Sequence, residues 1–297
     1  MHSGGPEPGV HLRSGFGPVW QLVGRVVSGL VAAGRHLVRE RRCLACGQPF
    51  LPITHEETTP RFHLFCPACT ASMPRREIGY CPFCGELAAW PTLPLAPCGH
   101  CLNEPPPWQA FYFHGAFSGL LRQMVHRLKY ANGLAEGVAL GRLLAEHPGL
   151  GAEPFTLVVP VPLHPVRLRA RGFNQAMEIG RGFVSAMQGK AGGHGTSVGL
   201  APGMLCRVRN NRQQTGLSRK ERRENTRGIF TAAPDVAGQN ILLVDDVVTT
   251  GATLKEATRT LIQAGAARVA VAVVARTAVH GHRQACHEML AGELRSP

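Results

Sequence analysis

The sequence is short of lysine, of aromatic residues and of long apolar runs. Only four of its 32 basic residues are lysines, and aromatic residues account for 6% of the 297 positions. A membrane-spanning helix requires roughly 18 or more consecutive apolar residues, and because no such stretch is present we expect no transmembrane segment. The polar start, rich in Gly and Pro and followed by a run that Arg25 interrupts, does not fit a secretory signal peptide either.

Acidic residues are also scarce, since 19 Asp and Glu stand against 32 Lys and Arg and leave a net charge of +13. Nearly all of the positive charge is arginine, whose planar guanidinium suits contacts to phosphate and nucleic acid. A genome that favours arginine codons would give the same composition, so charge alone does not identify a partner. Apolar residues make up 44% of the chain, which predicts a folded globular protein.

Ten cysteines are present, and eight of them form four Cys-x-x-Cys pairs: Cys43 with Cys46, Cys66 with Cys69, Cys81 with Cys84, and Cys98 with Cys101. Eight thiolates on four tight turns predict two tetrahedral Zn²⁺ sites of the structural type, with no open position. Disulfides and a redox-active motif are the competing interpretations, and four consecutive pairs argue against both. Zinc implies a reducing compartment, so we expect a cytoplasmic protein. The spacing leaves open whether neighbouring or interleaved pairs share a zinc ion.

The order of these features predicts four regions along the chain. Residues 1–42 are a disordered start with an amphipathic helix from Trp20 to Val38, residues 43–104 a double zinc module, residues 110–280 the main domain, and residues 281–297 a tail. A proline-rich linker closes the zinc module between Leu102 and Gln109. The helix at 20–38 either lies on a membrane surface or docks on its own protein. Cys206, which has no partner at zinc spacing, is expected to be a small buried residue.

Three nearly continuous apolar runs predict buried strands, at Phe155–Val161, Ile241–Val244 and Arg268–Arg276. A shorter strand is expected at Phe111–Phe113. Helical periodicity lies between the strands, at residues 117–129, 134–147, 175–183 and 254–262. Because strands with apolar residues on both faces belong to sheets covered on both sides, the pattern predicts an α/β fold with a parallel sheet.

Two adjacent acids, Asp245 and Asp246, follow the strand at Ile241–Val244, and a loop of small and hydroxylated residues then leads into a helix. The free backbone N–H groups of a helix N-terminus bind phosphate, and small residues let the anion approach them. The acids suit hydroxyl groups, or a divalent cation that bridges hydroxyls and a second phosphate. The stretch therefore predicts a site for a sugar that carries a phosphate at one end and a free diol at the other.

Arginines cluster in two other segments. Arg167, Arg169 and Arg171 follow a proline-rich loop after the strand at Phe155–Val161, on the edge of the sheet where ligands bind. They form an arginine-rich turn that suits a pyrophosphate group; the alternative is a solvated basic start to the next helix. A second segment, from Arg207 to Arg227, is dense in arginine and poor in apolar residues, so it is not expected to form core.

Several motifs carry a family resemblance. The stretch Leu243–Thr253 resembles the phosphoribosyl pyrophosphate (PRPP) motif of type I phosphoribosyltransferases. Together with the four cysteine pairs, Val159–His164 and Arg169–Gln175, it makes residues 43–276 resemble the ComF/GntX family. The resemblance implies a Rossmann-like type I phosphoribosyltransferase domain behind an N-terminal double zinc ribbon. It also implies a role in natural transformation, with single-stranded DNA and DNA-uptake proteins as partners.

The same resemblance assigns roles to residues. Asp245 and Asp246 would hold the ribose diol as the catalytic pair, and the residues that follow would bind PRPP: Val247, Val248, Thr249, Thr250, Gly251, Ala252 and Thr253. Arg167, Arg169 and Arg171, with Arg207 and Arg222 of a mobile lid, would neutralise the pyrophosphate, and Mg²⁺ would accompany PRPP. Two functions stay open at this point, a transferase with an unidentified acceptor and a non-catalytic PRPP-sensing adaptor that binds DNA.

Overall fold

The computed structural model describes residues 41–51, 64–131, 133–190, 198–209 and 228–278. Three predictions lie outside these residues: the disordered start with the amphipathic helix at 20–38, the tail at 281–297, and most of the arginine-rich lid, including Arg222. Within the described ranges, no helix is long and apolar enough to cross a membrane.

Strands and helices alternate through the larger part of the chain. The strands are β1 (Arg41–Arg42), β2 (Pro49–Phe50), β3 (Ala110–Ala116), β4 (Leu157–Pro160), β5 (Gly199–Leu200), β6 (Leu205–Arg207), β7 (Phe230–Ala232), β8 (Asn240–Val248) and β9 (Arg268–Arg276). The α-helices are α1 (Pro67–Ala71), α2 (Gly99–Asn103), α3 (Gly119–Tyr130), α4 (Leu134–Ala145), α5 (Pro148–Gly151), α6 (Pro165–Arg171), α7 (Gln175–Lys190) and α8 (Ala252–Gln263).

Five strands form one parallel sheet in the order β3–β9–β8–β4–β5. The apolar runs of the sequence fill both faces of this sheet. In β8, Leu242 and Val244 belong to a core shared with helices α3, α4 and α7. Ile241 and Leu243 belong to a second core, which α8 covers. Because successive side chains of a strand point to opposite faces, a continuous apolar run is what a sheet covered on both sides requires.

Helices α4 and α7 are in very close contact on one face of the sheet. A Cβ atom added to Gly141 would overlap the carbonyl oxygen of Ile179, and one added to Gly182 would overlap that of Val138. The two glycines therefore let the helix backbones approach each other directly. This packing fixes the start of α7, which lies next to the arginines of α6.

The cysteine-rich region packs on the sheet domain at two places. Cys43, Phe65 and Met73 join the core around Leu121 and Met124 of α3. The part around Cys84 joins the other core, with Trp108 and the aromatic residues of β3. The two cysteine pairs at the start and the two that follow thus contact opposite faces of the sheet.

The predicted strands and helices are confirmed, with three differences that bear on function. Strand β8 runs to Val248 because its pairing with β9 continues to Val248 and Arg276, while its pairing with β4 ends at Val244. The acids thus lie inside β8 rather than after it. They are in the part of β8 that runs past the end of the neighbouring strand β4. The predicted arginine-rich turn is helix α6, which Pro165 begins and Gly172 ends with φ of 83°.

The third difference concerns Cys206, which was expected to be buried, and the segment from Leu102 to Gln109, which was expected to be a linker. Cys206 is exposed, because it lies on the two-stranded pair β6–β7, opposite Thr231. Trp108, in the expected linker, is buried at 7% exposure. Its indole Nε1 donates a hydrogen bond to the carbonyl oxygen of Phe83 at 2.7 Å. The proline-rich segment therefore fastens the cysteine-rich region to the sheet.

Candidate functional site

The loop after β8 has the geometry of an anion site. Gly251 adopts φ of 74° as the N-cap of α8, a conformation that glycine reaches without strain. The hydroxyl of Thr250 accepts a hydrogen bond from the N–H of Ala252 at 3.4 Å. The remaining amides at the start of α8 face no helical carbonyl, which leaves them available to a ligand. Thr249 is exposed, and Thr250 and Thr253 are half-buried.

Asp246 is held by a lysine that the sequence did not single out. Nζ of Lys129, on α3, lies 2.5 Å from Oδ2 of Asp246, and the Asp246 side chain is only 6% exposed. The N–H of Val247 donates to Oδ1 of the same carboxylate at 2.8 Å. A buried carboxylate needs such partners, because an unpaired charge in the interior is costly. The one available signal was that Lys129 is one of four lysines in an arginine-rich chain.

Asp245 lies in an environment that disfavours its charge. Withdrawal from water, followed by the neighbouring charge of Asp246, raises the pKa of Asp245 well above its usual range. The N–H of Asp246, which donates to Oδ1 of Asp245 at 2.8 Å, and the ammonium of Lys129 act in the opposite direction. Asp245 is thus a destabilised carboxylate whose charge a ligand could satisfy.

Arg207 lies near enough to Arg167 and to Asp245 for their charges to act on it. Burial, followed by the charge of Arg167, lowers the pKa of Arg207, and the carboxylate of Asp245 opposes this shift. Nε of Arg207 is buried and has no hydrogen-bond partner within the described part of the chain. Its guanidinium lies 5.7 Å from the ring centroid of Phe230. Two cations and an unsatisfied donor beside a carboxylate suit an anionic group.

Helix α6 presents the other predicted arginines. Arg171 donates to Oε1 of Gln175 at 2.8 Å, and its guanidinium lies 5.7 Å from the ring of Tyr130. Arg169 is exposed on the same short helix. The structure thus places Arg207 near enough to Asp245 and to Arg167 for their charges to interact, while Arg171 is held at the start of α7 and Arg222 lies beyond the described residues.

Val247 and Val248 contribute side chains to the core. Val248 is 3% exposed and belongs to the core under α8, and Val247 packs against the core of the other face. Of these two residues, only the backbone is available to a ligand. They act as the apolar anchors that hold the loop at the end of β8.

The eight paired cysteines form two separate groups. The first cluster contains Cys43, Cys46, Cys66 and Cys69, and the second contains Cys81, Cys84, Cys98 and Cys101. Within each group the four sulfur atoms lie within 4.8 Å of one another. Neighbouring pairs therefore share a cluster, which settles the alternative that the spacing left open.

The geometry of both clusters fits a tetrahedral metal. Four sulfurs at about 2.3 Å from a zinc ion lie about 3.8 Å apart. The Cys46–Cys66 and Cys84–Cys98 sulfur distances are 3.9 and 3.7 Å. Two four-cysteine clusters compatible with structural zinc sites are thus present.

Among the described residues, the large aromatic side chains exposed enough to stack on nucleic-acid bases are Phe83, Trp90 and Tyr130. Trp108 is buried, and Tyr80 is half-buried with its ring edge-on to Phe113 at 4.9 Å. Phe83 and Trp90, on the second cluster's side of the molecule, are 48% and 51% exposed. Trp108 is therefore no candidate for stacking, whereas the side chain of Trp90 is accessible.

Comparison with known proteins adds a family. A family model described as a phosphoribosyl transferase domain matches residues 197–288. The DNA utilization protein YhgH of Salmonella typhimurium is 34% identical over 217 residues, which cover 71% of this chain and 90% of that protein. Competence protein F of Haemophilus influenzae is 28% identical over 210 residues, which cover 68% of this chain and 88% of that protein.

The solved structures give a weaker likeness. The glutamine PRPP amidotransferase of B. subtilis, complexed with ADP and GMP, matches 48% of this chain at 21% identity and a TM-score of 0.33. The match spans 26% of that solved chain. A likeness of this size has no bearing on the function of the site.

The raised pKa of Asp245 makes a prediction about stability. Because the folded state holds the Asp245 proton more tightly than the unfolded chain does, stability falls as pH rises from the unfolded pKa through the folded one. Asp245→Asn stays neutral, so it should raise the melting temperature of the ligand-free protein more at pH 8 than at pH 4.5. We expect a gain of a few degrees at pH 8, since about 1 kcal/mol moves Tm by ~2–4 °C at this size.

Thermal unfolding of both proteins across this pH range checks the expectation, with Asp235→Asn, at an exposed position, as the control. A gain in melting temperature that is the same at every pH, or a loss at pH 8, would show that the fold does not raise the pKa of Asp245.

Proposed function

Because this chain belongs to the family of DNA utilization protein YhgH and competence protein F, we propose that it binds PRPP and acts with single-stranded DNA during DNA uptake. The predicted fold is confirmed, since a phosphoribosyltransferase domain with a parallel sheet follows a region whose cysteine clusters fit zinc ribbons. One observation carries the proposal. Two carboxylates, Asp245 and Asp246, precede a loop that leads into helix α8, whose N-cap is Gly251. The charge of Arg207 interacts with that of Asp245.

We propose that the loop binds the 5′-phosphate of PRPP. The amides from Thr250 to Thr253 would donate to its oxygens, and the positive end of the α8 dipole would add to the attraction. Asp245 and Asp246 would accept hydrogen bonds from the ribose 2′ and 3′ hydroxyls. A ribose hydroxyl that reaches Asp246 must share this carboxylate with the ammonium group of Lys129.

The arginines would act on the pyrophosphate at C1 of the ribose. When the bond between C1 and the pyrophosphate oxygen breaks, negative charge develops on the leaving group, and an acceptor takes its place at C1. Arg207 lies near enough to Arg167 and to Asp245 for their charges to influence it, so the two arginines would be placed to neutralise that leaving group. Mg²⁺, for which the carboxylates are suitable oxygen ligands, would supply further charge neutralisation when PRPP is bound.

We propose that each cysteine cluster holds one structural zinc ion. In this proposal residues 43–104 form the zinc-binding module and residues 110–280 the phosphoribosyltransferase-like domain. All four ligands of each site would be protein thiolates, so no position is open for catalysis. The chemistry of the protein would belong to the site at β8.

The DNA partner is proposed from charge and family. The net charge of +13 is almost entirely arginine, and the segment from Arg207 to Arg227 concentrates it. A basic segment of this kind attracts the phosphate backbone without regard to sequence. Exposed aromatic side chains such as Trp90 can stack on bases. We propose the cytoplasm as the location, because zinc-bearing thiolates persist in a reducing compartment.

PRPP binding and turnover test the main proposal. Asp245→Asn/Asp246→Asn should weaken Mg²⁺-dependent PRPP binding and pyrophosphate release by about 100-fold or more, because both ribose contacts lose their charge. Calorimetry measures binding, and a coupled pyrophosphate assay with and without a single-stranded oligonucleotide measures release. Asp235→Asn serves as the control and should behave like the unchanged protein.

Release that persists in the double variant would contradict the assignment of the two acids. Tight PRPP binding without turnover, with every acceptor offered, would instead identify a PRPP-sensing adaptor that binds DNA.

Metal analysis tests the zinc proposal. The purified chain should contain two zinc ions, and Cys46→Ser should contain about one, since a four-thiolate site rarely survives loss of a ligand. Cys206→Ser removes an exposed cysteine outside both clusters and should retain two. Mass spectrometry of the intact protein and elemental analysis give the count. Equal zinc in Cys46→Ser and Cys206→Ser would contradict the assignment.

DNA binding is tested through its salt dependence. Affinity for a fluorescent single-stranded oligonucleotide should fall with salt, and Lys220→Ala/Arg223→Ala should lower the slope of log K against log salt by roughly 1.4. Arg122→Ala/Arg181→Ala removes two charges from exposed helix positions and is the matched control. Binding that is absent, insensitive to salt, or weakened equally by both variants argues against a DNA site in this segment.

A further inference from the structure

The second cysteine cluster lies directly against the loop after β8. Three separate links join the two, and each involves residues far apart in the sequence. They run through Arg276, through Trp108 and through the first turns of α8. Since the proposed function uses this loop, the cluster is more than a separate zinc module attached to the fold.

The first link is a buried arginine. Arg276, the last residue of β9, is 4% exposed. Its Nη2 is ion-paired with Oε2 of Glu86, and its Nη1 donates to the carbonyl oxygen of Thr249. Glu86 lies two residues after the cluster cysteine Cys84. One guanidinium therefore bridges the turn that carries the cysteines and the first residue of the phosphate loop.

The second link is Trp108. Its indole Nε1 donates to the carbonyl oxygen of Phe83, which lies between Cys81 and Cys84, at 2.7 Å. The far edge of the same ring is 3.7 Å from the position of a Cβ atom on Gly251. The indole thus fills the space between the cysteine turn and the glycine that caps α8.

The third link is to helix α8 itself. Nζ of Lys255 lies 3.0 Å from Nε2 of His100, which stands between Cys98 and Cys101. One turn further along, Arg259 pairs with Glu104 at 3.7 Å. The segment that carries Cys98 and Cys101 therefore contacts helix α8, which begins directly after the loop.

The turn at Cys84 is also tightly packed. Gly85 has φ of 70°, and a Cβ atom there would overlap the ring of Phe111 on β3. The turn can occupy this position only with a glycine at residue 85. The first cluster differs, because it packs on α3 at the other face of the sheet.

We propose that the second cluster supports the phosphate loop, with Glu86 and Arg276 as positioning residues for PRPP binding. The Glu86 carboxylate holds the Arg276 guanidinium, and this in turn fixes the Thr249 carbonyl, so that the amides of residues 250–253 face one point. If Glu86 is replaced by alanine, the buried guanidinium of Arg276 loses its partner. The Arg276 side chain should then turn away from the loop toward water. The naming of PRPP rests on the proposed function; the support of the loop does not.

The experiment compares two glutamates that pair with the two ends of β9. Glu86→Ala frees Arg276 beside the loop, whereas Glu153→Ala frees Arg268 at the opposite end of the strand, where the pair is 2.5 Å apart and Glu153 is 5% exposed. Both variants lose a partly or fully buried ion pair, but only one touches the loop. Hydrogen exchange is measured without PRPP at the amides of Lys255 and Thr277, which donate to the carbonyl oxygens of Gly251 and Val248 at the two ends of the loop, and PRPP affinity is measured by calorimetry.

We expect exchange of the Lys255 and Thr277 amides to become about tenfold faster in Glu86→Ala, with zinc content unchanged, and PRPP affinity to fall by about tenfold. Glu153→Ala should lower the melting temperature without changing either quantity. Glu86→Gln, which keeps an acceptor for Arg276, should restore part of the protection. A general loss of stability would move both alanine variants alike, so that result would overturn the proposal.

A second pair of variants addresses the cluster directly, and it also serves if Glu86→Ala does not fold. Cys84→Ser removes a ligand of the second cluster, and Cys46→Ser removes one of the first. Only Cys84→Ser should accelerate exchange of the Lys255 and Thr277 amides. Equal exchange in the two variants would overturn the proposal. Faster exchange in a protein that binds no PRPP would uphold the support of the loop and contradict the proposed function instead.

Discussion

Two carboxylates at the end of an otherwise apolar strand impose the main constraint on this structure. Strand β8 is covered on both faces, so Asp246 becomes buried and Asp245 half-buried when the sheet forms. Charges in such a place need partners. Lys129 provides one from α3, the backbone provides others, and Arg207 adds a third from β6. The site is thus a group of buried and half-buried charges, which the proposed ligand would further neutralise.

The parts that meet this constraint come from both regions of the chain. The sheet domain supplies the acids, the loop and helix α8. The cysteine-rich region supplies Glu86 and His100, and Trp108 joins the two regions. A closed four-thiolate metal site is rigid and does no chemistry of its own. Its value here would lie in holding a glycine-capped loop in the conformation that binds an anion.

Local patterns predicted much of the fold. The apolar runs at Ile241–Val244 and Arg268–Arg276 predicted parallel strands, because burial on both faces leaves no other pattern. The cysteine spacing predicted the ligands of two clusters. It could not predict how the pairs combine, since that depends on how the turns approach each other in space. The burial of Trp108 and the exposure of Cys206 likewise depend on neighbours distant in sequence.

The candidate site was predicted only in part for the same reason. Asp245, Asp246 and the loop form one continuous motif, so they were visible in the sequence. Lys129 lies more than 100 positions earlier, and the pair Glu86–Arg276 joins residues 190 positions apart. Contacts of this range follow from the packing of α3 and of the second cluster against the sheet. No local sequence pattern predicts these contacts.

The most direct test is a crystal structure of the protein with Mg²⁺ and PRPP. The account predicts that the 5′-phosphate lies within hydrogen-bond distance of the amides of residues 250–253, with the ribose hydroxyls on Asp245 and Asp246. It also predicts that the Arg276 contact to the Thr249 carbonyl persists in the complex. PRPP bound elsewhere, or an unchanged site at saturating PRPP, would contradict it.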